Sequence, residues 1–236
     1  MRTLPFDIQR RELEIKEETR ERKIGLFGGT FNPVHLGHLR GAEEIRETFG
    51  LQEVVFIPAA IPPHKEAEGV AEARHRLQMV RLATASNPGF STTDIELARS
   101  GKSYSIDTIR YFRERHPDIL FFILGGDAFE EIETWKEFQQ LFYLCSFIVM
   151  TRPGFQKTLS NSQLPKSLVP AFSYDEEMKG WKHTSGHTLQ FREIAYLDIS
   201  STKVRELIEK GVSVRYLIPA EVEAYVQQHG LYRKSR

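Results

Sequence analysis

The chain has 236 residues, 40% of them hydrophobic and 27% charged, enough to bury a sizeable core in one large domain or two small ones. Lys plus Arg and Asp plus Glu both number 32, so no strong overall field draws the chain to nucleic acid or an anionic membrane, and any basic site has to be local. The single cysteine, Cys145, excludes an intramolecular disulfide and a cysteine-based zinc site; inside the apolar stretch that begins at Leu141 it reads as a buried thiol in a reducing compartment.

Residues 1–22 carry scattered apolar positions (Phe6, Ile8, Leu13, Ile15) among balanced charges, and Glu12/Lys16 and Glu18/Arg22 have helix-supporting i,i+4 spacing. They read as a charged, exposed extension ahead of one domain over residues 23–236. The longest apolar runs, near Ile119 to Leu124 and Leu141 to Met150, fall far short of the ~20 residues a membrane helix needs, and the N-terminus lacks a signal peptide's apolar core. The expectation is a cytoplasmic protein with neither membrane nor nucleic acid as partner; a homo-oligomer is left open.

From Lys23 onward, short apolar runs alternate with helical periodicity. The candidate strands are Ile24 to Phe27, Val54 to Ile57, Phe121 to Leu124, Phe147 to Met150 and Ile194 to Leu197. Helices are predicted over Leu36 to Phe49, Ala71 to Ala83, Ile106 to Arg115 and Ser200 to Glu209, with another marked by Val222, Tyr225, Val226 and His229. Strand–helix alternation implies an α/β fold with an open parallel sheet covered by helices on both faces. The polar stretch from Pro153 to about residue 190 reads as a loop-like insertion. Within it His183 and His187 stand four apart without a third ligand nearby, so they are expected to be solvated and no metal site is predicted.

The segment GGTFNPVHLGH, residues 28–38, follows the first strand, where open parallel sheets bind ligands. Gly28 and Gly29 remove side chains that would block a ligand from the backbone, Asn32-Pro33 makes a turn, and the helix that follows offers its positive end to phosphate. His35 and His38, at i,i+3, can face one way and stabilise charge on a phosphorus under attack; exposed or capping histidines are the alternative reading. No GxxxxGK[ST] or GxGxxG occurs, which removes support for a P-loop or a dinucleotide fingerprint. Near the C-terminus, Ile199-Ser200-Ser201-Thr202-Lys203-Val204-Arg205 opens a helix: Ser200 or Ser201 can cap it, and Ser201 and Arg205 lie on one face where they can hold a polyphosphate.

These two segments together resemble the HxGH nucleotidylyltransferases, which pair such signatures across one Rossmann-like domain. The matches between them resemble the bacterial nicotinate-nucleotide adenylyltransferase branch: Pro62-Pro63-His64-Lys65, Ser103-Tyr104-Ser105-Ile106-Asp107-Thr108, Gly125-Gly126-Asp127-Ala128, Thr134-Trp135, Arg152-Pro153-Gly154 and Tyr216-Leu217-Ile218-Pro219. The resemblance covers Lys23 to about Tyr232. It implies adenylyl transfer from ATP to nicotinate mononucleotide, with another acceptor (nicotinamide mononucleotide or phosphopantetheine) or a non-catalytic nucleotide-binding regulator as alternatives. It further implies that His35, His38, Ser201 and Arg205 act on the phosphates, that Gly28, Gly29, Thr30, Phe31, Gly125, Asp127, Ile199 and Ser200 bind ATP, and that Mg²⁺ arrives on the ATP phosphates. Lys65, Tyr104, Ser105 and Trp135 are implied for the acceptor. Two positions depart from the pattern: Ser105 stands where the family usually has Thr, and Lys136 where it often has an aromatic residue.

Overall fold

A computed structural model describes residues 22–61, 69–115, 118–152, 164–195 and 197–233. In chain order the elements are β1 (Lys23–Gly29), α1 (Leu36–Phe49), β2 (Glu53–Pro58), α2 (Ala73–Thr84), β3 (Phe90–Thr92), α3 (Ser105–Arg115), β4 (Ile119–Gly125), α4 (Gly126–Glu130), α5 (Phe138–Leu141), β5 (Ser146–Thr151), β6 (Phe172–Asp175), β7 (Gly180–His183), β8 (Thr188–Glu193), α6 (Ser201–Glu209) and α7 (Ala220–Gln228). The strands form one sheet in the order β3-β2-β1-β4-β5-β8-β7-β6. Pairings from β3 to β8 are parallel and those of β6 and β7 antiparallel. The chain winds outward from β1 to β3 and then returns to place β4 on the other flank of β1, so the strand order reverses between β1 and β4.

Successive side chains of a strand point to opposite faces, and in a sheet covered on both sides both sets are apolar. Along β4, Leu120, Phe122 and Leu124 join Ile106, Ile109 and Phe112 of α3 in one core, while Phe121 and Ile123 join Ile45 of α1 and Met79 and Val80 of α2 in the other. Helix α1 stops at Gly50, whose left-handed backbone (φ 60°) allows its N–H and that of Leu51 to close on the carbonyls of Glu47 and Arg46.

The Rossmann-like α/β expectation holds, but the last expected strand does not. Ile194 to Leu197 forms no strand in the described residues; its place beside β5 is taken by β8, in register from Phe147↔Leu189 to Thr151↔Glu193. After Ile194 donates to the Thr151 carbonyl, Ala195 donates to the Glu44 carboxylate, so the chain has left the sheet. The polar insertion is likewise corrected: its described part, from Leu164, contains β6, β7 and the start of β8. These strands are four to six residues long with mixed side chains, so they carry no apolar run. His183 is buried rather than solvated, packed edge-on to Tyr143 with ring centroids 4.5 Å apart, while its Nδ1 lies 2.8 Å from the Ser185 hydroxyl.

Helix α2 starts two residues later than expected: Glu72 is the N-cap with an extended ψ of 144°, and the Ala71 carbonyl accepts from Arg76 Nε instead of a helix N–H. The expected extension, residues 1–22, lies outside the described residues except for Arg22. No helix among the described residues is long and apolar enough to cross a membrane.

Glycine in the middle of β1 is required by packing. A Cβ on Gly25 would come within 2.7 Å of Ile123 Cδ1 and 2.9 Å of Leu51 Cδ1. Gly25→Val is therefore expected to destabilise the protein by about 1–3 kcal/mol through overpacking, read as a lower urea midpoint at unchanged slope.

Candidate active site

The loop leaving β1 is held by its carbonyl groups. The Gly29 carbonyl accepts from the Ala59 N–H (2.9 Å), Thr30 from Arg76 Nη1 (2.9 Å), Asn32 from Arg205 Nη1 (2.8 Å) and Pro33 from the Ser201 hydroxyl (2.8 Å). The Asn32 side chain donates to the Gly69 carbonyl, and its Oδ1 accepts from the Ala71 N–H and the Tyr232 hydroxyl. With these oxygens occupied on the inner side, the loop is pinned at the mouth of the sheet by donors from α2, α6 and the C-terminal segment.

Arg76 is the least expected member of this set. It is 1% exposed, with its guanidinium shared among the carbonyls of Ala71, Thr30 and Ala60. Burial pushes its pKa below the usual arginine value, and the three carbonyls compensate the lost water. The sequence holds a signal for it: Arg76 falls on the same helical face as Met79, Val80 and Ala83, an apolar stripe where a cation is out of place.

Helix α1 opens on the histidine pair. His35 is the N-cap residue, not part of the first turn, and its backbone N–H donates to His38 Nδ1 at 3.2 Å. An Nδ1 that accepts leaves the proton of the neutral ring on Nε2. The two imidazoles are stacked, centroids 3.6 Å apart. His35 Nδ1 is buried at the helix cap, so a ligand can meet this ring only through Nε2. Gly37 makes the stack fit, since a Cβ there would lie 3.1 Å from the His35 ring. Burial depresses the His35 pKa from 6.5 to about 4, which keeps the ring uncharged at neutral pH.

Two cavities flank the point where the strand order reverses. The smaller, about 160 Å³, is lined by His35, His38, Asp127, Arg152 and Ile199, and by Gly125 at the end of β4. The larger, about 300 Å³, also reaches Gly125 and is lined by Gly28, Gly29, Thr30, Tyr104, Ser105, Trp135 and Lys136. Trp135 meets Phe122 edge-on at 6.1 Å and packs against the core while lining this cavity. Also on its wall is Glu96, buried and accepting from the Thr108 hydroxyl at 2.7 Å; burial raises its pKa and the hydroxyls of Thr108 and Ser103 oppose that shift. Ser103 in turn accepts from the Ala60 N–H at 2.9 Å. The sequence reading missed Glu96, which sits in a mixed polar segment with no periodic pattern to mark it.

The expected site residues thus separate into groups. Those lining the two cavities are His35, His38, Gly125, Asp127 and Ile199 on one side and Gly28, Gly29, Thr30, Tyr104, Ser105 and Trp135 on the other. Phe31 is 2% exposed with its ring in the core between Phe27 and Phe56, so only its backbone can face a ligand. Ser200 caps α6, accepting from the Lys203 N–H at 3.1 Å. The Ser201 hydroxyl is spent on Pro33, while Arg205 keeps further guanidinium donors beyond Asn32 and Thr202. Lys65 lies outside the described residues. No three His, Cys, Asp or Glu side chains among the described residues converge to hold a metal ion.

The cytidylyltransferase-like family model matches residues 26–207. A relative from Citrifermentans bemidjiense, named "Probable nicotinate-nucleotide adenylyltransferase", is 47% identical over 215 residues, spanning 91% of this chain and all of the relative. The chain belongs to the nicotinate-nucleotide adenylyltransferase family. A second member, from Syntrophotalea carbinolica, is 46% identical over 89% of this chain and 97% of its own. Among solved structures, the Plasmodium falciparum nicotinic acid mononucleotide adenylyltransferase complexed with NaAD has the same fold, with a TM-score of 0.67 at 20% identity over 89% of this chain and 97% of its own.

The pinned loop and the buried imidazole each yield a measurable consequence. Arg76→Met removes the partner of three partly buried carbonyls and is expected to cost about 3 kcal/mol of stability, read by chemical denaturation. For His35 the folded pKa lies below the unfolded one, so the unfolded chain binds more protons between pH 6.5 and about 4. Its contribution is therefore complete above pH 6.5 and is lost as pH falls toward 4, by up to about 3 kcal/mol. His35→Asn should flatten that part of the stability profile, and an NMR titration of wild type should show one imidazole still neutral at pH 5.5.

Proposed function

We propose that the chain transfers the adenylyl group of ATP to nicotinate mononucleotide, forming deamido-NAD and pyrophosphate. The observation that carries this reading is the meeting of the two cavities at Gly125, one walled by the stacked histidines and the other by Trp135 and the Tyr104–Ser105 segment. ATP, taken as its Mg²⁺ complex, occupies the histidine side; Mg²⁺ stays on the phosphates with its waters and asks little of the protein. The pyridine ring of the acceptor lies against Trp135, with its carboxylate toward the backbone N–H groups of Tyr104 and Ser105.

In the reaction an oxygen of the acceptor's phosphate bonds to the α-phosphorus of ATP. The bond from that phosphorus to the bridging oxygen breaks, and its electron pair leaves on pyrophosphate. A phosphate monoester has a second pKa of about 6, so the nucleophile is already ionised at neutral pH and no base has to take a proton. The protein aligns the two phosphates and stabilises charge. His38 meets the α-phosphate through Nε2–H, its tautomer set by the His35 backbone. His35 supplies Nε2 beside it. Arg205 holds the departing pyrophosphate with the donors left to it, and Ser201 acts through Pro33 by fixing the loop. Asp127 and Ile199 line the adenosine side.

Incubation of the purified protein with MgATP and, separately, nicotinate mononucleotide, nicotinamide mononucleotide or phosphopantetheine is expected to release pyrophosphate fastest with the first. An equal or faster rate with another acceptor would overturn the substrate assignment. His38→Ala is expected to lower kcat about 10²-fold, as loss of one transition-state donor does, with an unchanged circular dichroism spectrum; an unaltered kcat would remove His38 from the mechanism.

A further inference from the structure

Among the described residues that line the larger cavity, Lys136 is the one cation, and Glu96 and Glu131 are carboxylates on the same walls. Its ammonium is held in place. Nζ lies 3.2 Å from both oxygens of Asp107 and 4.9 Å from the centre of the Tyr104 ring. A second ion pair, Arg110 with Glu137 at 2.6 Å, ties the next turn of α3 to the residue after Lys136. The two pairs lock the segment that carries Trp135 to the helix that begins at Ser105, so the two walls of the cavity are joined at Lys136.

Resting on the reading of this cavity as the acceptor site, we infer that the Lys136 side chain strengthens its discrimination of an acidic pyridine ring from the amide, beside the backbone N–H groups of Tyr104 and Ser105. Nicotinate and nicotinamide have nearly the same shape, so a pocket sorts them by charge. The other acidic lining groups are Glu96, which is paired with Arg99 at 3.8 Å, and Glu131; they do not favour a further carboxylate, and Asp107, beside the Tyr104–Ser105 segment, opposes it unless it is neutralised. Lys136, the only positive charge on the described walls, removes that opposition by cancelling Asp107. The neutral amide feels the effect little. Because the two side chains are 41% and 36% exposed, water screens the interaction, and a discrimination on the order of 5- to 10-fold is expected.

The test compares KM for nicotinate mononucleotide with that for nicotinamide mononucleotide, the latter measured as substrate or as competitive inhibitor. Lys136→Met should raise the nicotinate KM about 5- to 10-fold while the nicotinamide constant stays within about twofold. Lys136→Arg should keep the wild-type ratio, and adding Asp107→Asn to Lys136→Met should recover most of the loss, because the uncompensated carboxylate is then gone. Lys136→Gln provides the same readout if Met disturbs the wall. Equal changes for the two acceptors, no change, or no recovery in the double variant would overturn the inference. Wild-type turnover of nicotinate mononucleotide is the separate check on the underlying reading: if it is absent, that reading fails, whatever the variants do.

Discussion

Everything at the site depends on where the carbonyl groups of the loop after β1 point. A loop that is to surround phosphates must turn its oxygens away from them, and polar groups turned inward need partners. Here the partners are costly and distant: a fully buried guanidinium from α2, a second guanidinium and a hydroxyl from α6. Asn32 adds two acceptor contacts through its side chain, one of them to Tyr232. Such an arrangement sacrifices cheap local hydrogen bonds for long-range ones, and the gain is a loop whose shape is set before any ligand arrives. Preorganisation of this kind is where much of the rate enhancement of phosphoryl-type transfers comes from.

The sheet then decides what that loop faces. Since β1 and β4 are neighbours while their crossovers run to opposite sides, their C-terminal ends are left uncovered, and Gly29 and Gly125 frame the opening. Both cavities open on this gap, as the proposed reaction between two bound substrates requires. The two faces of the sheet contribute differently. On one, α1 and α6 bring the histidines and Arg205; on the other, α3 and the Trp135 segment build the wall of the larger cavity.

Much of this was legible in the sequence, for identifiable reasons. Strands β1, β2, β4 and β5 are buried on both faces, so they appear as unbroken apolar runs, and α1 shows helical spacing closed by Gly50. Strand β8 was misplaced because its residues, TLQFRE, mix apolar and polar side chains toward the sheet margin, while the apolar Ile194 just beyond it attracted the assignment. The hairpin of β6 and β7 was hidden for the same reason. At the site, the motif residues were visible as motifs, but the groups that orient them were not. Arg76 and Glu96 acquire meaning only from neighbours brought together by the sheet, and the difference between His35 as N-cap and His35 as helix member is a matter of one backbone dihedral pair.

The contact between Tyr232 and Asn32 spans 200 residues, and the Arg205 and Ser201 contacts to the same loop span 173 and 168. On the ribosome, the glycines and both histidines emerge early, and the strands that flank them can pair soon after. Arg76 of α2 follows within 46 residues of Thr30, but the donors from α6 and Tyr232 come last. A chain cut short before α6 would therefore carry every residue of the opening motif and still lack the contacts from Ser201 and Arg205 that complete the loop, so the full geometry of the site is deferred to the final stage of synthesis.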